Sequence, residues 1–195
     1  FRRVLFRSDT VKAIEKEEPG TFTEDLKNID GLVTDRKNKI LTIATADCID
    51  ILFFDPVKKV IANTHSGWKG TYQEISIRTV DKMVDKYSCN TGDILCFFGP
   101  SIRKCHFEVD KDVAEDFYNK FRKLDNIDEI ILKQKEVEKY NIDTILINRT
   151  ILRNKGLKDE NIIDCDLCTV CNSNKLHSFR IDGDVSGRMM GLISM

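Results

Sequence analysis

The chain has 195 residues, of which 41% are hydrophobic and 32% are charged. This length and composition indicate one globular domain with a sizeable core and exclude a disordered chain. The formal net charge of -1 offers no basic surface for nucleic acid, and no apolar run approaches the roughly 20 residues of a membrane helix.

The first eight residues do not join naturally to the sequence that follows them. Residues 4–8 resemble the translated end of a common sequencing adapter. We therefore expect residues 1–8 to be non-native. Residues 9–195 are expected to form a single domain that lacks its natural N-terminal part.

Segments rich in β-branched residues predict three consecutive strands, at 40–45, 49–54 and 60–64. Residues 55–59 include Pro56 and form the turn between the last two strands. Apolar residues at helical spacing then predict a helix over 71–87.

The rest of the chain alternates between helices and strands. The predicted elements are a strand at 93–98, a helix at about 110–124, a helix with Asp143 as N-cap that ends at 155–156, and strands at 161–165 and 176–181. This mixture predicts an α/β (α+β) domain with mixed β-sheets and helices packed outside them.

Cys48 and His65 lie at matching ends of two predicted strands. With the turn centred near Val57, antiparallel pairing places position 48 beside position 65 or 66, where facing Cβ atoms are roughly 4.5–5.5 Å apart. Zinc binds a thiolate at about 2.3 Å and an imidazole nitrogen at about 2.0 Å. The pair could share one metal ion or act as nucleophile and base. The alternative is a buried cysteine near an unrelated histidine.

The surroundings of this pair are unusual for plain strand ends. Asp47 precedes the cysteine, and Gly67 and Gly70 follow the histidine, where glycine permits tight turns and close approach to a ligand. A helix is predicted to begin at this loop, and a helix N-terminus favours an anion.

Five segments resemble signatures of the laccase-domain family, zinc enzymes formerly described as multicopper polyphenol oxidases. In chain order they are residues 30–34, 45–48, 65–71, 99–109 and 166–188. The resemblance covers about residues 9–195 and implies the cysteine-hydrolase-like fold of that family.

The resemblance implies a zinc site made by two histidines and one cysteine. Cys48 and His65 match two of these ligands and are the expected catalytic pair. The remaining histidine would sit where this chain has Arg7, and an arginine cannot replace a neutral imidazole. The chain as written is therefore expected to have an incomplete metal site. Copper is disfavoured because a multicopper oxidase needs many histidine ligands and the chain has three histidines.

Four further residues are expected to bind substrate. Arg180 and Arg188 lie in the C-terminal signature and are suited to bidentate phosphate contacts. Lys69 stands where the family usually has arginine, which would replace a bidentate contact by a point charge. Cys105 lies in a loop that the resemblance places near the site, and His177 could be a pocket or a structural residue.

The resemblance implies a purine nucleoside phosphorylase that acts on adenosine, inosine or methylthioadenosine and also deaminates adenosine. The expected partners are purine nucleoside and phosphate, without nucleic acid or membrane, for a monomer or homodimer. Two alternatives remain open. One is a cysteine hydrolase or amidase that uses Cys48 and His65, for example on peptidoglycan precursors. The other is an inactive fragment, which Arg7 supports.

The seven cysteines are an odd number, and a core of this size does not depend on disulfides, so we expect a reducing cytoplasm. Cys165, Cys168 and Cys171 are spaced like metal ligands, but no fourth ligand is obvious in the sequence. Structural or incidental thiols are the preferred interpretation. The neighbouring Cys105 and His106 are expected to diverge, as adjacent residues do in an extended chain.

Overall fold

The computed structural model describes residues 10–14, 28–134 and 138–195. The segment 1–8, with Arg7, lies outside these described residues. The described strands are β1 (Val11–Ala13), β2 (Gly31–Thr34), β3 (Ile40–Thr45), β4 (Ile49–Asp55), β5 (Val60–Ser66), β6 (Leu95–Phe98), β7 (Glu108–Asp110), β8 (Ile131–Lys133), β9 (Lys139–Ile142), β10 (Ile162–Asp164) and β11 (Met189–Ser194). The described α-helices are α1 (Trp68–Tyr72), α2 (Ile75–Tyr87), α3 (Lys111–Phe121), α4 (Ile127–Ile130), α5 (Thr144–Lys155) and α6 (Phe179–Asp182).

The largest sheet has six strands in the order β1-β2-β5-β4-β6-β10. Its middle is antiparallel, because β5 pairs antiparallel with β2 and β4, and β4 with β6. The two edge strands, β1 and β10, pair parallel with their neighbours. The predicted mixed-sheet α/β (α+β) class is therefore confirmed, as are the three strands predicted between residues 40 and 64.

Two smaller sheets complete the described part of the structure. β3 and β11 form an antiparallel pair, and β7, β9 and β8 form a three-stranded antiparallel sheet. The last strand β11 was not predicted from the sequence. Its exposed and half-buried residues alternate because only one face of this two-stranded pair is covered.

Helices α2 and α5 cover the large sheet and close the main core. Ile75, Val80 and Met83 of α2 are fully buried in this core. α5 begins as predicted, because the Asp143 side chain accepts a 2.9 Å hydrogen bond from the Leu146 amide. It also ends as predicted, at Gly156, which takes the left-handed conformation with φ +111.

The predicted continuous helix over 71–87 is wrong. Glu74 has a left-handed conformation with φ +57, which separates α1 from α2. The break lies directly after the His65 loop, and it lets α1 pack beside β5 while α2 packs against β1, β2 and β5.

The predicted strand at 176–181 is also wrong, because residues 179–182 form the short helix α6. The backbone amide of Arg180 donates a 2.7 Å hydrogen bond to the Asp47 carboxylate. A carboxylate at the first turn satisfies a helix amide that otherwise has no partner in the helix. This partner lies 133 positions away, so the local sequence does not reveal it.

The strand predicted at 93–98 is shorter than expected, since residues 91–93 form a 3-10 turn and the strand begins at Leu95. The predicted helix at 110–124 occupies Lys111–Phe121, and the predicted strand at 161–165 occupies Ile162–Asp164. The three strands β7, β8 and β9 were not predicted, because they are three or four residues long.

Candidate functional site

Cys48 and His65 converge above Gly67. An ideal Cβ at Gly67 would lie 3.0 Å from the sulfur of Cys48 and 3.8 Å from Nε2 of His65. The sequence prediction that this cysteine and histidine meet is confirmed, and glycine at position 67 is what leaves room for them.

The predicted register of this hairpin is wrong by one or two residues. The structure pairs Ile49 with Ser66 and Asp50 with His65, because the turn is centred between residues 57 and 58. Cys48 therefore lies beyond the paired strand. Asp47 has a left-handed backbone with φ +83, which breaks the alternation of side chains and lets Cys48 approach His65.

Asp30 orients the His65 ring. Its carboxylate Oδ1 lies 3.2 Å from His65 Nδ1, and its carbonyl accepts a 2.7 Å hydrogen bond from the His65 amide. Asp30 is 3% exposed, and the His65 side chain is 14% exposed. Burial opposes protonation of His65, but the hydrogen bonds and charges of Asp30 and Cys48 raise the pKa of the imidazole to about 10. Asp30 contacts the ring at Nδ1. The other ring nitrogen, Nε2, lies over Gly67, as the Cys48 sulfur does.

Asp50 is the cross-strand partner of His65, so it adds a second carboxylate beside the histidine. It is 6% exposed, and its Oδ1 has no hydrogen-bond partner among the described residues. Burial raises the pKa of this carboxyl to about 7, although the charge of His65 acts in the opposite direction. The carboxylate packs directly on Gly191 of β11 and borders a cavity of about 200 Å³.

Asp47 accepts hydrogen bonds from three residues that are distant from it in the sequence. Its side chain accepts hydrogen bonds from the Thr169 hydroxyl at 2.6 Å and from the Arg180 amide at 2.7 Å. Its carbonyl accepts a 2.8 Å bond from the Ile102 amide. The residue before Cys48 is thus fixed by two of the segments that the sequence singled out, 99–109 and 166–188.

The three cationic side chains that the sequence predicts to bind substrate, Lys69, Arg180 and Arg188, lie in different parts of the fold. The Arg180 guanidinium donates hydrogen bonds to the carbonyls of His106 and Glu108, at 3.0 and 3.3 Å. Arg188 is exposed, and its guanidinium donates hydrogen bonds to the nearby carbonyls of Ser186 and Gly187. Lys69 is exposed on α1, with its ammonium 5.2 Å from the centre of the Trp68 ring.

His177, which the sequence left open as a pocket or structural residue, packs flat against a glycine. An ideal Cβ at Gly187 would lie 2.4 Å from its ring. A side chain at position 187 would therefore clash with the His177 ring.

Cys105 lies in a group of four side chains that are close enough to hold a metal ion, which the sequence did not predict. Its partners in this group are His106, Cys168 and Cys171. The expectation that Cys105 and His106 diverge is wrong, because the chain turns at residues 104–106 and places His106 Nδ1 3.2 Å from the Cys105 sulfur. Only two of the three spaced cysteines, Cys168 and Cys171, belong to this group, and its other two members come from a distant turn. This group is separate from Cys48 and His65.

Comparison with known proteins assigns the chain to a family. The model of the family described as multi-copper polyphenol oxidoreductase laccase matches residues 6–195, and the chain belongs to this family.

The chain is similar to several named relatives. Purine nucleoside phosphorylase YlmD of Bacillus subtilis is 35% identical over 170 residues, which is 87% of this chain and 60% of that protein. Purine nucleoside phosphorylase LACC1 of Mus musculus is 33% identical over 199 residues, which is 100% of this chain and 43% of that protein. Adenosine deaminase RL5, from an unknown prokaryotic organism, is 31% identical and is covered over 68% of its length. The chain thus spans about half the length of the first two relatives.

Solved structures confirm the fold. The hypothetical protein YfiH of Bacillus licheniformis superposes with a TM-score of 0.84 at 30% identity, covering 97% of this chain and 71% of that one. YlmD from Geobacillus stearothermophilus also gives a TM-score of 0.84, at 26% identity, with 98% and 71% covered. Within the ranges that the structure describes, none of the helices has the length and apolar character to cross a bilayer.

Proposed function

We propose that the natural protein is a zinc-dependent purine nucleoside phosphorylase that also deaminates adenosine, with its site at Cys48 and His65. The convergence of these two side chains above Gly67 is the observation that carries the proposal. The names of the relatives, which include purine nucleoside phosphorylases and an adenosine deaminase, supply the substrate class. The proposed nucleosides are adenosine, inosine and methylthioadenosine, with phosphate as the second substrate.

The donor set is suited to zinc. A thiolate and an imidazole are both good zinc ligands, and a ligating histidine usually has a carboxylate on its other ring nitrogen. Asp30 occupies that position on Nδ1 of His65. A third ligand is proposed at position 7, where a histidine would complete the set and Arg7 leaves it incomplete. Zinc bound there would supply Lewis acidity and an open coordination position.

The protein residues have separate proposed roles around this site. Asp30 holds the tautomer and direction of His65, and Asp47 fixes the backbone that carries Cys48. Lys69, Arg180 and Arg188 supply positive charge for phosphate, with the arginines suited to bidentate contacts. Arg180 is the best anchored of these three, through the carbonyls of His106 and Glu108.

A cysteine hydrolase is the second candidate, because Cys48, His65 and Asp30 also follow the order of nucleophile, base and orienting carboxylate.

Removal of zinc by a chelator distinguishes the two candidate functions. We would prepare the Arg7→His protein and measure base release from adenosine and inosine before and after zinc removal. The zinc proposal expects activity that is lost on chelation and restored by zinc. Chelator-resistant amide cleavage with covalent labelling of Cys48 would support the hydrolase instead. Cys165→Ser is the matched control, since Cys165 lies outside both groups of ligands.

A further inference from the structure

Four side chains from two distant turns meet near the surface, away from Cys48 and His65. Cys105 and His106 lie between β6 and β7, and Cys168 and Cys171 lie between β10 and α6. Their four ligand atoms are all within 4.8 Å of one another. Cys168 is buried, whereas Cys105 and Cys171 are exposed.

The distances match a tetrahedral zinc site. With Zn–S of about 2.3 Å and Zn–N of about 2.0 Å, the edges of a tetrahedron are roughly 3.8 Å between sulfurs and 3.5 Å from sulfur to nitrogen. The sulfur of Cys105 lies 3.6 Å from that of Cys168 and 3.8 Å from that of Cys171. His106 Nδ1 lies 3.2, 3.7 and 3.5 Å from the sulfurs of Cys105, Cys168 and Cys171, respectively. Five of the six edges therefore agree with one shared ion to within about 0.3 Å.

Other uses of these cysteines fit less well. The sulfur separations exceed the roughly 2.05 Å of a disulfide, and all the cysteines are free. Iron–sulfur clusters of the common types take four thiolates around more than one iron, whereas this group offers three thiolates and one imidazole. Three cysteines and one histidine are a common ligand set of structural zinc sites.

We propose that Cys105, His106, Cys168 and Cys171 form a structural zinc site, additional to the proposed site at Cys48 and His65. With four protein ligands the coordination is closed, so its role is to hold the two turns together rather than to bind substrate. Cys105 accordingly acts as a metal ligand. This inference stands without the proposed nucleoside activity.

Hydrogen bonds to Asp47, the residue before Cys48, connect the proposed zinc site to Cys48. Ser101 and Cys168 form a β-bridge, and the residue after Cys168 is Thr169, whose hydroxyl bonds Asp47. The carbonyl of His106 accepts a hydrogen bond from the Arg180 guanidinium. The backbone amide of Arg180 in turn donates a hydrogen bond to the carboxylate of the same Asp47. The zinc would therefore stabilise the two hydrogen bonds that hold the Asp47 carboxylate.

The test is the zinc content of the full chain in matched variants after exhaustive dialysis. In the Cys48→Ser protein, which removes a ligand of the other site, at least one equivalent of zinc is expected to remain. Adding Cys171→Ser to that protein is expected to remove this equivalent, whereas adding Cys165→Ser is expected to leave it. Zinc that is absent from Cys48→Ser, or that survives Cys171→Ser, would overturn the proposal.

Cobalt substitution provides a measurement that does not require a ligand of this site to be deleted. The Cys48→Ser protein loaded with Co²⁺ is expected to show a tetrahedral spectrum with thiolate-to-metal charge transfer. The variant Cys171→His keeps four ligands, so it is expected to retain the ion with a weaker charge-transfer band. An octahedral spectrum, or a band unchanged by Cys171→His, would contradict a site with three thiolates.

Discussion

The carboxylate of Asp47 accepts a 2.6 Å hydrogen bond from the hydroxyl of Thr169, 122 positions further along the chain. Both residues are buried. The bond joins the residue before Cys48 to the residue after Cys168, so it connects the proposed catalytic site to the proposed structural zinc site. Asp47 also carries the left-handed backbone that directs Cys48 toward His65.

Replacing Thr169 by valine tests this connection. The change keeps the shape of the side chain but leaves Asp47 Oδ1 buried without its partner, which is expected to cost about 1–3 kcal/mol of unfolding free energy. Urea unfolding measures the cost. Thr42→Val on the exposed side of β3 is the control and is expected to change stability by about 0.5 kcal/mol or less. Equal effects of the two changes would show that the bond contributes little.

Replacing Asp30 by asparagine tests the orientation of His65. Loss of a carboxylate behind a ligating histidine is expected to weaken zinc binding by roughly 10–100-fold. The affinity would be measured by competition with a chromophoric chelator in the Arg7→His protein, with Cys171→Ser present so that the second site does not contribute. Asp35→Asn, at an exposed carboxylate, is the control. An unchanged affinity in Asp30→Asn would show that Asp30 does not support zinc binding through His65.

Replacing Gly191 by alanine tests the packing of Asp50 on β11. The added Cβ would lie 1.4 Å from Asp50 Oδ2, so the carboxylate or the strand must move, at a cost of about 1–3 kcal/mol. In the Asp50→Ala background the same change is expected to cost much less, because the clashing atoms are gone. Thermal or urea unfolding of the four proteins measures the coupling. Additive effects would contradict the contact.

The pair of Arg103 and Asp164 predicts a pH dependence of stability. Arg103 donates two 2.6 Å hydrogen bonds to the carboxylate. Although burial acts in the opposite direction, these bonds, a backbone bond and the arginine charge lower the pKa of Asp164. Because the folded-state pKa is lowered, the stabilisation is present above the unfolded value of about 3.9 and is lost as the pH falls through the folded value.

Arg103→Gln is therefore expected to destabilise the protein at pH 7 by about 1–3 kcal/mol, and by less as the pH falls below about 4. Urea unfolding at pH 7 and pH 3 measures the two differences. Lys111→Gln breaks an exposed pair with Glu115 and is expected to have an effect within about 0.5 kcal/mol at either pH. A destabilisation by Arg103→Gln that is the same at both pH values would refute the assignment.

Local signals in the sequence were sufficient for much of the fold. The Asp143 cap and the terminal Gly156 of α5 act within a few residues, and both are found as predicted. The meeting of Cys48 with His65 was also predictable, because a short hairpin brings its two ends together.

The remaining features depend on contacts between distant segments. The left-handed Asp47 and the helix at 179–182 are stabilised by the same long-range hydrogen bond, which sequence spacing does not encode. The side chains of the proposed structural zinc site were missed for a similar reason. Cys105 and His106 complete a set with Cys168 and Cys171 only because the fold places the two turns side by side.

The most direct test of the proposed nucleoside chemistry at Cys48 and His65 is the phosphate-dependent release of hypoxanthine from inosine by the Arg7→His protein. We expect release that requires phosphate and yields one ribose 1-phosphate for each hypoxanthine. We also expect that it is lost in Cys48→Ser and retained in Cys165→Ser. Release that persists in Cys48→Ser, or no release from a folded Arg7→His protein with zinc at that site, would contradict the proposal.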